Sequence, residues 1–271
     1  MQDPHDEQIV EAIYDALDRG DPRAALDLVH RALEGQIEDD PVLLFLGGLA
    51  LMEIDRPDEA ADLLSRAVEA DPDDAEFRAN LAFALFRACR FDDALVQSSR
   101  AVDSDRAMPD AHAVHALALE RLGRFAEADE HFAKAAEIDP ERFSAPVRIA
   151  RAEFEAEVVR AGDLLPARFR RPLSEVAVTV EELPSEEILR EENPPLDPEL
   201  LGLFVGLSLP ERSSLDTVPQ LPPRILLFQR NLERHTRDLA ELRREIAITV
   251  YHELGHYLGM DEDDLEDLDL A

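Results

Sequence analysis

The chain has 271 residues, 45% hydrophobic and 33% charged, enough apolar material for two cores of ordinary size and too much for wholesale disorder. Its 28 basic and 61 acidic residues leave a net charge of −33, which repels nucleic acid and anionic membrane surfaces, so neither is expected as a partner. The single cysteine, Cys89, excludes an internal disulfide and a thiolate zinc cluster. Residues 1–10 show neither a basic head nor an apolar run, and no apolar stretch reaches the roughly 18 residues of a membrane span, so the expected location is the cytoplasm.

The first half is repetitive. Segments starting at Pro41, Ala75 and Pro109 align at a spacing of 34 residues, each reading as a helix, a short turn and a second helix. Alanines recur in register at Ala60, Ala94 and Ala128, and again at Ala67, Ala101 and Ala135, as close helix contacts require. An earlier copy from Asp6 places Ala25 and Ala32 there, with one extra residue before the next copy.

These residues resemble tetratricopeptide repeats. The copy from Pro109 carries Gly123, Ala128, Phe132, Ala135 and Pro140 at the consensus positions, while Leu44, Arg78 and His112 stand where the family has an aromatic residue. The resemblance implies a right-handed all-α superhelix whose concave face binds a protein or peptide partner. Its groove side is expected to carry Val10, Tyr14, Leu17, Phe45, Leu49, Met52, Ala79, Phe83, Phe86, Ala113 and Leu117. That apolar surface holds a partner segment or the chain's own second domain, or else its side chains pack between repeats. His112 and His115 read as ordinary helix residues, and Cys89 as a small packed one.

After Pro140 the pattern changes, giving two expected domains, residues 1–142 with about four repeats and residues 143–271. Residues 142–166 read as one long amphipathic helix ending before Pro166. Three β-like runs follow, at 176–184, 200–210 and 224–230, with prolines crowded between Pro184 and Pro223 and His235 in a loop. A last helix starts from Thr236 as N-cap, buries Leu239, Leu242, Ile246, Val250, Leu254 and Leu258, and stops at Gly259. Helix, strands and helix make a small α+β domain, one sheet covered by two helices.

That last helix contains HELGH. Residues four apart share a helix face, so His252 and His256 direct two imidazoles toward one point, as a tetrahedral zinc ion requires. Glu253, one position round, can act as general base on a water beside the metal and return the proton to a leaving amine. The spacing H-E-x-x-H-x-x-G-x-x-ligand selects Glu262 as third ligand, with Asp261 and Asp263 as alternatives if the turn differs by one residue.

The stretches LLGLFVGLSL, LPPRILLFQRNLER and REIAITVYHELGHYLGMDEDDLEDL resemble the small zincin-like metallopeptidases. The resemblance implies a zincin-like fold with one zinc ion. It also implies that the strand Ile225, Leu226, Leu227 and Phe228 forms an edge of the cleft, with which a substrate pairs. The expected function is a zinc-dependent peptidase with the repeats as recruitment module. The alternatives are a non-catalytic interaction scaffold with a degenerate or structural zinc site, and an acidic assembly chaperone.

Overall fold

The computed structural model describes residues 4–33, 40–214, 222–261 and 264; Glu262 and Asp263 lie outside the described residues. Contacts divide the chain into two compact units. One comprises Met1–Phe143 with Glu186–Pro198, the other Ser144–Ser185 with Glu199–Ala271.

The first unit is built from antiparallel helix pairs, α1 (Pro4–Asp18) with α2 (Pro22–Leu33), α3 (Pro41–Glu53) with α4 (Pro57–Ala70), α5 (Ala75–Arg87) with α6 (Phe91–Ser104), and α7 (Pro109–Arg121) with α8 (Phe125–Ile138). The alanines in register, Ala60, Ala94, Ala128, Ala67, Ala101 and Ala135, are all buried, because a larger side chain would hold the helices apart. The turn inside each pair needs one left-handed residue, supplied by Gly20, Asp55, Cys89 and Gly123 at φ 69°, 56°, 57° and 73°. Cys89 is therefore both a packed residue and the turn residue of its repeat. Its carbonyl accepts a hydrogen bond from Arg190. Arg190 follows a short helix lying far along the sequence, whose Leu189 is fully buried, and Asp197 pairs with Arg87 at 3.3 Å. These contacts put Glu186–Pro198 with the repeats, although the surrounding chain belongs to the second unit.

His112 and His115 are more than ordinary helix residues. They form a cluster with His131 of α8, with ring centroids 5.0 Å (His112–His131) and 4.6 Å (His115–His131) apart. The Arg106 carbonyl lies 3.2 Å from His112 Nε2 and can only accept, so that nitrogen carries the proton. His112 Nδ1 is then the acceptor for His131 Nδ1–H, at 2.9 Å. Ser98 spends its hydroxyl proton on the Leu95 carbonyl and accepts from His115 Nδ1–H at 2.9 Å. Every bond is thus satisfied by neutral rings.

The second unit begins with residues 144–150 outside any helix or strand, followed by α9 (Arg151–Leu164), so the expected helix over 142–166 starts about nine residues late. Pro146 removes a donor and disfavours helix at the residue before it. The donors that follow are taken elsewhere: Val147 N–H goes to the Glu233 carbonyl at 3.0 Å and Ile149 N–H to the Glu233 carboxylate at 3.2 Å. That carboxylate is buried and also holds Arg148 (2.9 Å) and the Gln229 amide (2.7 Å).

The chain continues through α10 (Ala167–Leu173), β1 (Ala177–Glu181), α11 (Glu186–Leu189), β2 (Gly202–Val205), α12 (Leu209–Ser214), β3 (Arg224–Phe228), α13 (Gln229–His235) and α14 (Leu239–Leu258). The strand order is β1-β3-β2, with β1 parallel and β2 antiparallel to β3. This corrects the edge assigned to Ile225–Phe228, since β3 is the central strand with both sides paired. The sequence carries the reason. Ile225, Leu226, Leu227 and Phe228 are all buried, the continuous apolar run of a strand covered on two faces. The outer sides of β1 and β2 are the sheet's edges among the described residues, and on β1 the Arg151 guanidinium donates to the Val180 carbonyl.

His235 ends α13 and lies in no loop, and Thr236, buried, donates its hydroxyl to the Leu232 carbonyl at 3.2 Å. The N-cap of the last helix is instead Asp238, which accepts from Ala240 and Glu241 N–H at 2.8 Å each. Leu242, Ile246, Val250, Leu254 and Tyr257 of α14 are buried with Phe154 and Ala161 of α9. Each of the leucine, isoleucine, valine and phenylalanine side chains contributes about 1.5–3 kcal/mol.

Burial, and next the neighbouring His131, push His115 down to about 4; Arg124 and His112 act in the same direction and Asp103 opposes them. His131 is lowered too, by burial first and then by His112, against Glu130 and Glu127. Unfolded, these rings protonate near pH ~6.5. The unfolded chain therefore binds more protons, and stability is full above about pH 6.5 and lost as pH falls toward 4. Denaturant unfolding followed between pH 7 and 5 should show a falling midpoint, and His115→Gln should flatten that slope.

Candidate metal centre

Helix α14 positions the HELGH residues on two adjoining strips. On one, His252 and His256 are half-buried, with ring centroids 4.7 Å apart and planes at 82°, and their Nε2 atoms are 3.0 Å from each other. Two nitrogens each about 2.1 Å from a common centre lie about 3.0 Å apart at an angle near 90° and about 3.4 Å apart at the tetrahedral angle. The separation of the two nitrogens is thus that of two ligands on one zinc ion.

On the second strip, Thr249 and Glu253 are buried and face β2. The contact depends on Gly202. A Cβ built there would stand 2.6 Å from Thr249 Cγ2 and 3.0 Å from both Cγ and Oε1 of Glu253. Only a glycine lets the β2 backbone approach this closely, and the approach leaves the Glu253 side chain packed against the strand. Reading the sequence alone missed Gly202 and Thr249. The available signal was a glycine inside a β-like run, in LLGLFV.

The helix ends in a Schellman motif. Gly259 has φ 84°, its N–H donates to the His256 carbonyl at 3.0 Å, and Met260 N–H donates to the Gly255 carbonyl at 3.0 Å. Glycine is required twice over, because a Cβ would also stand 2.8 Å from Pro210 Cγ. Beyond it, Asp261 is exposed and its carboxylate accepts from Asp264 N–H at 3.0 Å. Among the described residues no group of three His, Cys, Asp or Glu side chains is gathered for a metal ion. Glu262, expected as third ligand, and Asp263 lie outside them.

The repeat-groove residues divide by burial. Phe45 and Phe86 are buried, which corrects their assignment to an open groove: Phe45 stacks on Phe77 at 4.9 Å and Phe86 packs edge-on against Phe91 at 5.6 Å. Val10, Leu17, Leu49, Met52 and Phe83 are half-buried, and Tyr14 is 45% exposed. Leu117 is largely buried, but with Ala79, Phe83 and Ala113 it lines a cavity of about 660 Å³.

Residues 173–271 match the Zincin-like metallopeptidase family. Residues 10–75, 51–118 and 109–142 match tetratricopeptide repeat families. No curated protein matches the chain. Among solved structures, the crystal structure of MamA is 24% identical, over 46% of this chain and 73% of that one, with a TM-score of 0.43. YrrB, described as a TPR protein with an unusual peptide-binding site, is 25% identical over 48% of this chain and 66% of that one, with a TM-score of 0.44.

Substituting Gly202 tests the close approach. Gly202→Ala should destabilise the protein by about 1–3 kcal/mol through overpacking. Because the nearest atom is Thr249 Cγ2, adding Thr249→Ala should recover about 1 kcal/mol of that loss. Denaturant unfolding of the two single variants and the double variant measures the coupling; additive losses would mean that the two residues do not meet.

Proposed function

We propose that this chain, a set of tetratricopeptide repeats joined to a zincin-like metallopeptidase domain, is a zinc-dependent peptidase whose repeats recruit a protein or peptide partner. The observation that carries the reading is the convergence of His252 and His256 Nε2 within 3.0 Å, on the helix that also holds Glu253 against β2. His252, His256 and Glu262 hold one zinc ion, which when bound supplies Lewis acidity to a water and to the scissile carbonyl. Glu253 takes the proton from the attacking water and delivers it to the departing amine nitrogen. Its burial keeps the carboxylate out of bulk solvent, and the close contact at Gly202 restricts the side chain. Among the described residues no further strand pairs with the outer side of β2, the strand that touches Glu253, and an extended substrate adds to the sheet there. Backbone pairing of that kind orients the scissile bond without reading its side chains.

The glutamate separates a peptidase from a scaffold, because a purely structural zinc site has no use for a buried base beside it. Glu253→Gln should retain stoichiometric zinc and lower peptide cleavage by about 10²–10⁴-fold, the range of a lost general base. His252→Ala should lose both the metal and the cleavage. Bound zinc is read by metal analysis and cleavage by mass spectrometry of a mixed peptide library. A wild type that holds zinc and cleaves no peptide would favour the scaffold.

A further inference from the structure

The repeat register places matched residues from two consecutive copies around the 660 Å³ cavity, a volume within the range of ligand sites. Ala79 of α5 and Ala113 of α7, 34 residues apart, form its floor. Phe83 and Leu117, another pair at the same spacing, form its apolar walls, and Glu76 and Asp110 stand at the rim. In the previous copy Phe45 occupies the position of the two alanines and is buried against Phe77. At this register position Ala79 and Ala113 leave space that a side chain of Phe45's size would fill.

The rim charges are unequal. Arg142 binds Asp110 through two hydrogen bonds, one of them 3.1 Å long. Among the described residues no cation pairs with Glu76; burial, and then the like charges of Asp74 and Asp110, push its carboxyl above the usual range. An apolar cleft bordered by a carboxylate without a counter-ion complements a cation attached to an aliphatic group.

We propose that the cleft between α5 and α7 binds a short extended peptide that places an aliphatic side chain on the Ala79–Ala113 floor and a lysine or arginine against Glu76. The proposal rests on the reading of the repeats as a recruitment module and gives that module's partner its chemistry. In an extended peptide alternate side chains share a face, so the cation stands two residues from the aliphatic anchor. Association exchanges water around both for apolar contact and an ion pair, and the chain's strong negative charge speeds the encounter.

The test is fluorescence anisotropy on the full chain with the fluorescein-labelled peptide Gly-Ser-Lys-Ser-Leu-Ser-Lys-Ser-Gly. Two control peptides replace both lysines by glutamate, or the leucine by serine. The lysine–leucine peptide should bind about tenfold or more tighter than either control. Ala113→Phe, which copies the bulk of Phe45 into the floor, should weaken it by about tenfold, and Glu76→Lys by about fivefold or more. Asp62→Lys makes the same charge change on the exposed side of α4, away from the cleft, and should alter binding by less than about twofold. Equal weakening by Asp62→Lys and Glu76→Lys would reduce the effect to bulk charge and overturn the proposal. Tight binding of the glutamate peptide that Ala113→Phe abolishes would overturn the basic partner while leaving recruitment through the cleft intact. Binding indifferent to Ala113→Phe, or no binding of any of the three peptides, would remove the cleft as a docking site.

Discussion

The zincin-like domain depends on one close approach, that of the β2 backbone to α14 at Gly202. At this point the strand has no side chain, and the space a Cβ would need is filled by Thr249 and Glu253. Burial of Leu242, Ile246, Val250 and Leu254 presses the helix toward the sheet, and the missing side chain sets how near the two can come. The consequence is chemical. A glutamate at this position on an exposed helix would sample many rotamers; here it is buried against the β2 backbone. The rest of the domain supports that placement. Asp238 starts the helix and the Schellman turn at Gly259 ends it three residues after His256.

The repeats use small residues in a different way. Alanine at the recurring contact positions brings helices together, and alanine at Ala79 and Ala113 leaves a cavity between them. The difference lies in what faces the position. Where a neighbouring helix packs directly onto the alanine, the space closes. Where the facing residues are Phe83 and Leu117 at the sides, it stays open. The left-handed turn shows similar tolerance, since asparagine-like freedom is not required at every copy and Asp55 and Cys89 take the conformation that Gly20 and Gly123 adopt without strain.

Much of this was legible in the sequence because it is local or periodic. A 34-residue register, alanines in step and a helix with two histidines four apart need no tertiary information. The strand order could not be read the same way, because β1 pairs with β3 across the intervening β2, although the unbroken apolar run Ile225–Phe228 marked a central strand. Residues 144–150 kept helical hydrophobic spacing, but Val147 and Ile149 gave their backbone donors to Glu233, more than 80 residues away in sequence. The histidine cluster joins α7 to α8 and the Gly202 contact joins β2 to α14, so neither leaves a pattern within one window. Glu186–Pro198 shows the same limit, its arginine reaching the Cys89 carbonyl from the far side of a sequence boundary.

The central claim is that His252 and His256 share one zinc ion. X-ray absorption at the zinc edge of the full chain loaded with one equivalent of metal tests it without reference to turnover. The account predicts a low-coordinate site with two imidazole nitrogens at about 2.0–2.1 Å, the remaining ligands oxygen, and loss of the imidazole signal in the His252→Ala, His256→Ala double variant. An all-oxygen environment, or zinc bound equally well by that variant, would contradict it.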